Sequence, residues 1–233
     1  MTKTKARKIG SLPRTVFDEA FAARIVNATD LTDFEELARL LVGPMGEEAA
    51  QGVLDGFAAL DVETDDEAFR LANEDAVDWA ADRAAELVGR RRVGATLQLV
   101  HNAPPWAITE STRDRLRELV TQAVADGWSA SQLEEAGRES WIFDPARAEM
   151  IARTELAMAH QAGTLAAWRR SGVVTGKRWL VSDLHDQDDI CDTNAEAGVI
   201  PLDASFPSGD DAPPAHPSCE CVVVADVADD AGS

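Results

Sequence analysis

No stretch of this 233-residue chain approaches the ~18–20 consecutive apolar residues of a membrane-spanning helix, and no signal-peptide core is visible. Neither a membrane partner nor secretion is expected. Cysteine is scarce, at three residues, an odd number. In the reducing compartment that follows, a disulfide framework is disfavoured, and metal ligation or plain thiols are favoured. The usual reaction signatures are missing as well: there is no H-E-x-x-H, G-x-S-x-G, Walker loop or G-x-G-x-x-G. No internal repeat appears. The six tryptophans are scattered, so no aromatic ladder for single-stranded nucleic acid is present. Basic residues number 22 against 42 acidic ones, for a net charge of −20. Such a surface repels phosphates unless its cations are segregated.

They are segregated slightly. Lys3, Lys5, Arg7, Lys8 and Arg14 all precede the first acidic residue, Asp18. A basic arm over 1–14 on an acidic body is suited to touch DNA or an acidic partner, and the plainer reading is a solvated, disordered terminus. The remainder, with a 45% hydrophobic chain overall, has enough apolar material for one large domain or two small ones.

Helical patterns dominate the first two thirds. Phe17, Phe21 and Ile25 recur at helical spacing. Thr32 and Glu35 form a capping box ahead of Leu37, Leu40 and Leu41, and Gly43-Pro44 predicts a stop. A further short helix is expected over 47–60. Thr64 and Glu67 form a second box, opening a long helix with Ala68, Leu71, Ala72, Trp79, Ala80, Ala84, Leu87 and Val88 near one stripe. Arg90, Arg91 and Arg92 are expected at its C-terminal end, where cations suit the helix dipole and need no nucleic acid to explain them. His101-Asn102-Ala103-Pro104-Pro105 marks a boundary. Ser111 to Asp114 starts another helix, 129–137 reads as a short one, and Asp144-Pro145 is an N-cap and N1 pair for a helix running to about Arg170. From Lys177 the character changes. Strands are expected over 178–181, 199–202 and 221–225, with a loop over 203–217. The fold class is therefore α+β, mostly α-helical with a small β-containing C-terminal lobe. The expected organisation is a basic arm over 1–14, a helical region over 15–103, a domain over 104–226 and a disordered tail over 227–233.

Chemistry could reside in few places. Glu155 sits among Ile151, Ala152, Met158, Ala159 and Ala162 on its predicted helix, so it should face the interior. A buried carboxylate requires a partner, with Arg178 or amides of the C-terminal loop as the candidates. A catalytic acid is the alternative, but no second acid or nucleophile is placed to work with it. Arg153 is expected to pair with Glu149 one turn earlier. His101 and His160 read as loop and helix surface. Trp168 fits a helix face and Trp179 the core of the small lobe.

His216-Pro217-Ser218-Cys219-Glu220-Cys221 gathers an imidazole and two thiols, and Cys191 lies upstream on the first β piece. On a strand, Cys219 and Cys221 would share a face. Cys191, His216, Cys219 and Cys221 together make a candidate closed Cys₃His zinc site, although His-x₂-Cys-x-Cys is not a standard finger spacing. Reduced structural thiols, or an oxidised pair of Cys191 with Cys219 or Cys221, fit the same residues. A zinc deaminase does not, because both H-x-E and P-C-x-x-C are missing. The acidic residues Asp183, Asp186, Asp188, Asp189 and Asp192 lack the spacing and glycine of a calcium loop and read as a solvated loop around His185.

The ordered set of Ala152-Arg153-Thr154-Glu155, then Lys177-Arg178-Trp179, then Asp-rich residues up to Cys191, then Pro213-Pro214-Ala215-His216-Pro217-Ser218-Cys219-Glu220-Cys221, resembles the Mu F-like phage head morphogenesis proteins, or minor head proteins. The likeness covers roughly residues 109–225. Family members usually end near HPNCRC, so Ser218 stands for the usual Asn and Glu220 for the usual Arg. Asn194 stands where many have the second cysteine of a CxxC. The resemblance implies a non-enzymatic capsid component in the virion interior or at the portal vertex, present in the host cytoplasm during assembly. Its implied partners are the portal protein and the major capsid or scaffold proteins, with DNA packaging or ejection as associated roles. Arg153, Thr154, Glu155, Trp179, His216 and Pro217 would be the structural motif residues. The competing readings are a metal-dependent hydrolase using His216, Asp183 and Asp186, and a zinc-stabilised regulator.

Overall fold

The computed structural model of the chain describes residues 34–60, 64–100, 145–183 and 189–227, with 102–104, 107–108, 112 and 121–122. The arm over 1–14, the helices expected before Thr32 and over 129–137, most of the one expected from Ser111, His101, the Asp144 cap and the loop around His185 lie outside the described residues. So does the tail beyond Val227.

Three long helices, α1 (Phe34–Ala58), α2 (Asp66–Leu87) and α3 (Pro145–Ser171), pack on one another. Small residues set their contacts. Ala72, Ala76, Ala80 and Ala84 recur every fourth position on α2 and are fully buried against Ala38, Leu41, Met45, Ala49 and Val53 of α1 and Ala152, Leu156 and Ala159 of α3. This core joins residues from both sides of the 103/104 boundary. Asp65 rather than Thr64 caps α2, its carboxylate accepting from the Glu67 amide at 3.1 Å.

Two sequence expectations fail in this layer. Gly43-Pro44 does not stop a helix: α1 runs through it without a break. An interior proline costs ~3 kcal/mol. Leu41 and Met45 on either side are both buried, as are Ala49 and Val53 beyond, so the burial of one continuous stripe outweighs that cost. Arg90, Arg91 and Arg92 are not helical. The helix ends at Leu87 because Gly89 takes a positive φ of 67° and its amide bonds back to Glu86. The chain then forms a hairpin of β1 (Arg90–Val93) and β2 (Thr96–Leu99). Gly94, with φ 59°, occupies the first central position of its two-residue turn. Arg92 folds back on α2, donating to Asp82 at 2.6 Å and Asp78 at 3.0 Å. Its charge is neutralised by side chains of that helix, not by a helix dipole.

The C-terminal lobe is a three-stranded antiparallel sheet in the order β4 (Val199–Pro201), β3 (Val174–Leu180), β5 (Val222–Val227), with the short helix α4 (Ile190–Glu196) between β3 and β4. The α+β reading, mostly helical with a small β lobe, holds. The three expected strands are present with shifted ends, and β3 begins earlier, at Val174. Gly172, with φ 70°, turns the chain out of α3 into it. The lobe has its own core of Val174, Trp179, Cys191, Leu202, Phe206 and Cys221, capped by Leu165 and Trp168 from the end of α3. Helix α3 thus serves both cores. Trp168 also donates its indole N–H to the Gly56 carbonyl of α1 at 3.2 Å.

Candidate functional site

The family-motif residues of α3 lie along its exposed-to-buried boundary. Glu155 is buried, as its apolar neighbours require. Its partner is Arg83 of α2, not Arg178. Arg83 donates from Nε at 2.7 Å and Nη2 at 2.9 Å to the two carboxylate oxygens, and Nη2 also approaches the Met158 sulfur. Arg178 cannot serve, because inward and outward side chains alternate along β3 and turn it to solvent between buried Lys177 and Trp179. Arg153 is exposed and pairs with Glu149 at 3.3 Å. Thr154 donates to the Met150 carbonyl at 2.8 Å, and its hydroxyl accepts from the Ser218 amide at 3.4 Å. That last contact ties α3 to the 216–221 segment. His160 is not a surface residue: it is mostly buried, with Nε2 3.0 Å from the Asp55 carboxylate of α1.

Ser218 takes φ 60°, the left-handed region in which asparagine and glycine are tolerated and most side chains are strained. The family's usual asparagine suits this backbone better than serine does. Ser218→Asn should raise stability by about 0.5–1 kcal/mol in equilibrium urea unfolding. A loss of stability would show that the serine hydroxyl has a role that its backbone angle does not explain.

The thiols converge from two places. Cys191 is in α4, not on a strand. Asp189 caps that helix, accepting from the Cys191 amide at 2.6 Å, so this member of the acidic stretch is a helix cap and not only a solvated loop residue. Cys219 and Cys221 precede β5, so the shared-face argument for a strand does not apply to them. A turn closed by the Cys219 amide on the His216 carbonyl at 3.2 Å presents them instead. The Sγ atoms of Cys191, Cys219 and Cys221 lie within 4.8 Å of one another, with 3.6 Å between Cys191 and Cys219, and none is bridged. Burial, reinforced by the neighbouring thiols, pushes the Cys191 thiol well above the usual cysteine range, and burial pushes Cys219 up as well. His216, Asp189 and Cys191 form a second group within 4.8 Å. His216 Nδ1 lies 3.0 Å from the Pro217 carbonyl. Its Nε2 is shielded from solvent, 3.2 Å from the Asp189 carboxylate but not aligned for a hydrogen bond. Pro217 itself is exposed. Of the hydrolase candidates, Asp183 is exposed and Asp186 lies outside the described residues.

Asn194, at the missing cysteine position, is fully buried. It donates to the Ser208 hydroxyl at 2.9 Å and accepts from the Ser208 amide at 3.0 Å, pinning the 203–217 loop to α4. Trp179 packs edge-on against Phe206 at 5.1 Å.

Lys177 enters the sequence reading only as part of the Lys177-Arg178-Trp179 motif, with no role assigned, yet it is fully buried beside Trp179. Its Nζ has no hydrogen-bond partner among the described residues and sits 5.5 Å from the centre of the Phe206 ring. Desolvation holds its ammonium below the ordinary lysine range. The folded state therefore binds its proton less tightly than the unfolded state does. The penalty is complete below the folded value and disappears as pH rises towards the unfolded lysine value of about 10.4. Lys177→Met should stabilise the protein by about 1–3 kcal/mol near neutral pH. The gain should shrink as the pH is raised, which thermal melts across the alkaline range would follow. A destabilising Met at all pH values would mean that the contact with Phe206 dominates.

The described residues thus define an α+β protein in which the motif side chains pair, cap and pack, fastening a small thiol-rich lobe to a helical layer. Residues 114–224 match the family model described as Phage Mu protein F like protein, so the C-terminal part of this chain is a Mu F-like region of the phage head morphogenesis type. No curated protein matches the chain, and no solved structure does. Arg83, the ion partner of Glu155, lies outside the matched residues.

Proposed function

We propose that this protein is a non-enzymatic phage minor head protein that works beside the portal during head assembly and stays in the virion. The match over residues 114–224 carries this reading. The geometry supports it: Glu155 has both oxygens engaged by Arg83, and Thr154 and Asn194 hold loop backbone, so these groups serve architecture. The portal protein and the major capsid or scaffold proteins are the partners, at the portal vertex or on the capsid interior. An acidic body avoids adhering to packaged DNA. The basic arm over 1–14 is the segment suited to contact DNA, in packaging or ejection. No described helix is long and apolar enough to cross a membrane.

The test is native mass spectrometry of the full chain mixed with the portal protein encoded beside it. A defined complex of chain and portal ring is expected. Absence of any complex, together with normal heads from a phage lacking the gene, would overturn the proposal. Deleting residues 1–14 should weaken binding to DNA or portal and flatten its salt dependence. Unchanged binding at every salt concentration would remove the arm from the scheme.

A further inference from the structure

We propose that Cys191, Cys219, Cys221 and His216 form a closed structural zinc site that joins α4 to the start of β5. This inference does not depend on the head-protein reading. Its first support is spacing. Zinc–sulfur bonds of about 2.3 Å in a tetrahedron place the sulfurs about 3.8 Å apart, whereas a disulfide requires about 2.05 Å. Cys191 and Cys219 are 3.6 Å apart and the third thiol is within 4.8 Å of both. The three sulfurs are therefore already near the edge length of a metal tetrahedron, and His216 adjoins them through Cys191.

The second support is the histidine. With Nδ1–H donating to the Pro217 carbonyl at 3.0 Å, the Nε2 lone pair is the free one. Nε2 is shielded from solvent and lies 3.2 Å from the Asp189 carboxylate, and His216, Asp189 and the Cys191 thiol group within 4.8 Å of one another. A shielded imidazole nitrogen beside a carboxylate and a thiol, with no hydrogen-bond partner among the described residues, is placed to bind a metal ion. A backbone carbonyl fixing the tautomer and a carboxylate beside the ring are the usual outer partners of a zinc-bound imidazole. Three thiolates and an imidazole are a soft donor set that suits zinc over calcium or magnesium. The metal would carry the positive charge that lets these buried thiols ionise, each releasing its proton to solvent on binding. Two elements anchor the ligands: Asp189 caps the helix bearing Cys191, and β5, paired to β3, follows Cys221 directly.

The test uses the full chain, purified under reducing conditions. Zinc content is read by elemental analysis and native mass, and cobalt(II) is titrated as a spectroscopic probe. One zinc per chain, with the intense thiolate-to-cobalt bands of a tetrahedral site, is the expected result. Asp189→Asn, which keeps the capping oxygen, should weaken zinc binding by about 10–100-fold, and Cys191→Ser by more. Far-UV circular dichroism should show the three long helices retained in both variants. Three results would overturn the proposal. One is a reduced, metal-free chain whose melting point zinc does not change and whose cobalt spectrum lacks thiolate bands. Another is zinc stoichiometry unaltered by Cys191→Ser. The third is a chain isolated with Cys191 bridged to Cys219 or Cys221 and unable to take up metal after reduction.

Discussion

Glu155→Leu lowers stability by about 3–5 kcal/mol, and adding Arg83→Met restores most of the loss. The single substitution removes the two-pronged carboxylate partner of a guanidinium whose side chain is only 14% exposed. Removing one partner of a buried pair costs that much because the other charge remains desolvated, whereas replacing both with apolar residues of similar volume is often neutral or better. The surroundings favour the double variant: Met158 and the alanine stripes of α2 and α3 are apolar, so two hydrophobic side chains can pack there. Equilibrium urea unfolding of the two single variants and the double variant gives the coupling directly. Glu86 lies 3.8 Å from Arg83 and is the competing carboxylate. If Glu155→Leu costs less than about 1 kcal/mol, Arg83 has turned to Glu86 and the pair is not the anchor. If the double variant is as unstable as the single one, geometry set by the pair, rather than charge compensation, fastens α2 to α3.

That experiment also separates what the sequence could reveal from what it could not. The burial of Glu155 was legible, because its helical neighbours Ile151, Ala152, Met158, Ala159 and Ala162 are apolar or small and periodicity is a local property. Its partner was not legible: Arg83 is 72 residues away, on a different helix, and nothing local marks it. The same division runs through the rest of the molecule. The three strands of the lobe, the long α3 and its Gly172 stop are written in short-range patterns. The continuity of α1 through Pro44 depends on a stripe buried by other helices, and tertiary burial overrode the local stop signal. Arg90 to Arg92 were misplaced for a smaller reason. Gly89 and Gly94 are the local signals for a helix end followed by a hairpin, and a run of cations suits a helix C-terminus equally well. At the candidate metal site the residue types and their order were visible. The capping role of Asp189, which makes Cys191 helical, and its position against His216 emerge only when α4 and the 216–221 segment meet.

Gly163→Ala should destabilise the protein by about 3 kcal/mol or more, even though alanine is the better helix former by ~1 kcal/mol. A Cβ on Gly163 would lie 1.9 Å from the Ala49 carbonyl oxygen and 2.9 Å from the Val53 amide nitrogen of α1. Those are backbone atoms of a packed helix, so no rotamer change relieves the overlap. On the other side, a Cβ on Gly52 would meet the His160 carbonyl oxygen of α3 at 2.0 Å. The two glycines let α1 and α3 touch backbone to backbone. Only at that distance can Thr164 donate to the Gly52 carbonyl at 3.2 Å and Trp168 to the Gly56 carbonyl. Forcing the helices apart breaks these bonds and loosens Trp168, which also belongs to the core of the β lobe. Gly52→Ala should therefore cost a similar amount, and the double variant should cost clearly less than the two losses added, because one separation of the helices accommodates both methyl groups. Gly46→Ala on α1 is the control. Nothing lies within 4 Å of its Cβ position, so it should gain about 0.5–1 kcal/mol from helix propensity alone. Urea unfolding of the four variants decides the matter. Full additivity would mean that each methyl is accommodated separately, and a neutral Gly163→Ala would show that the backbone contact between α1 and α3 does not set the packing of the helical layer.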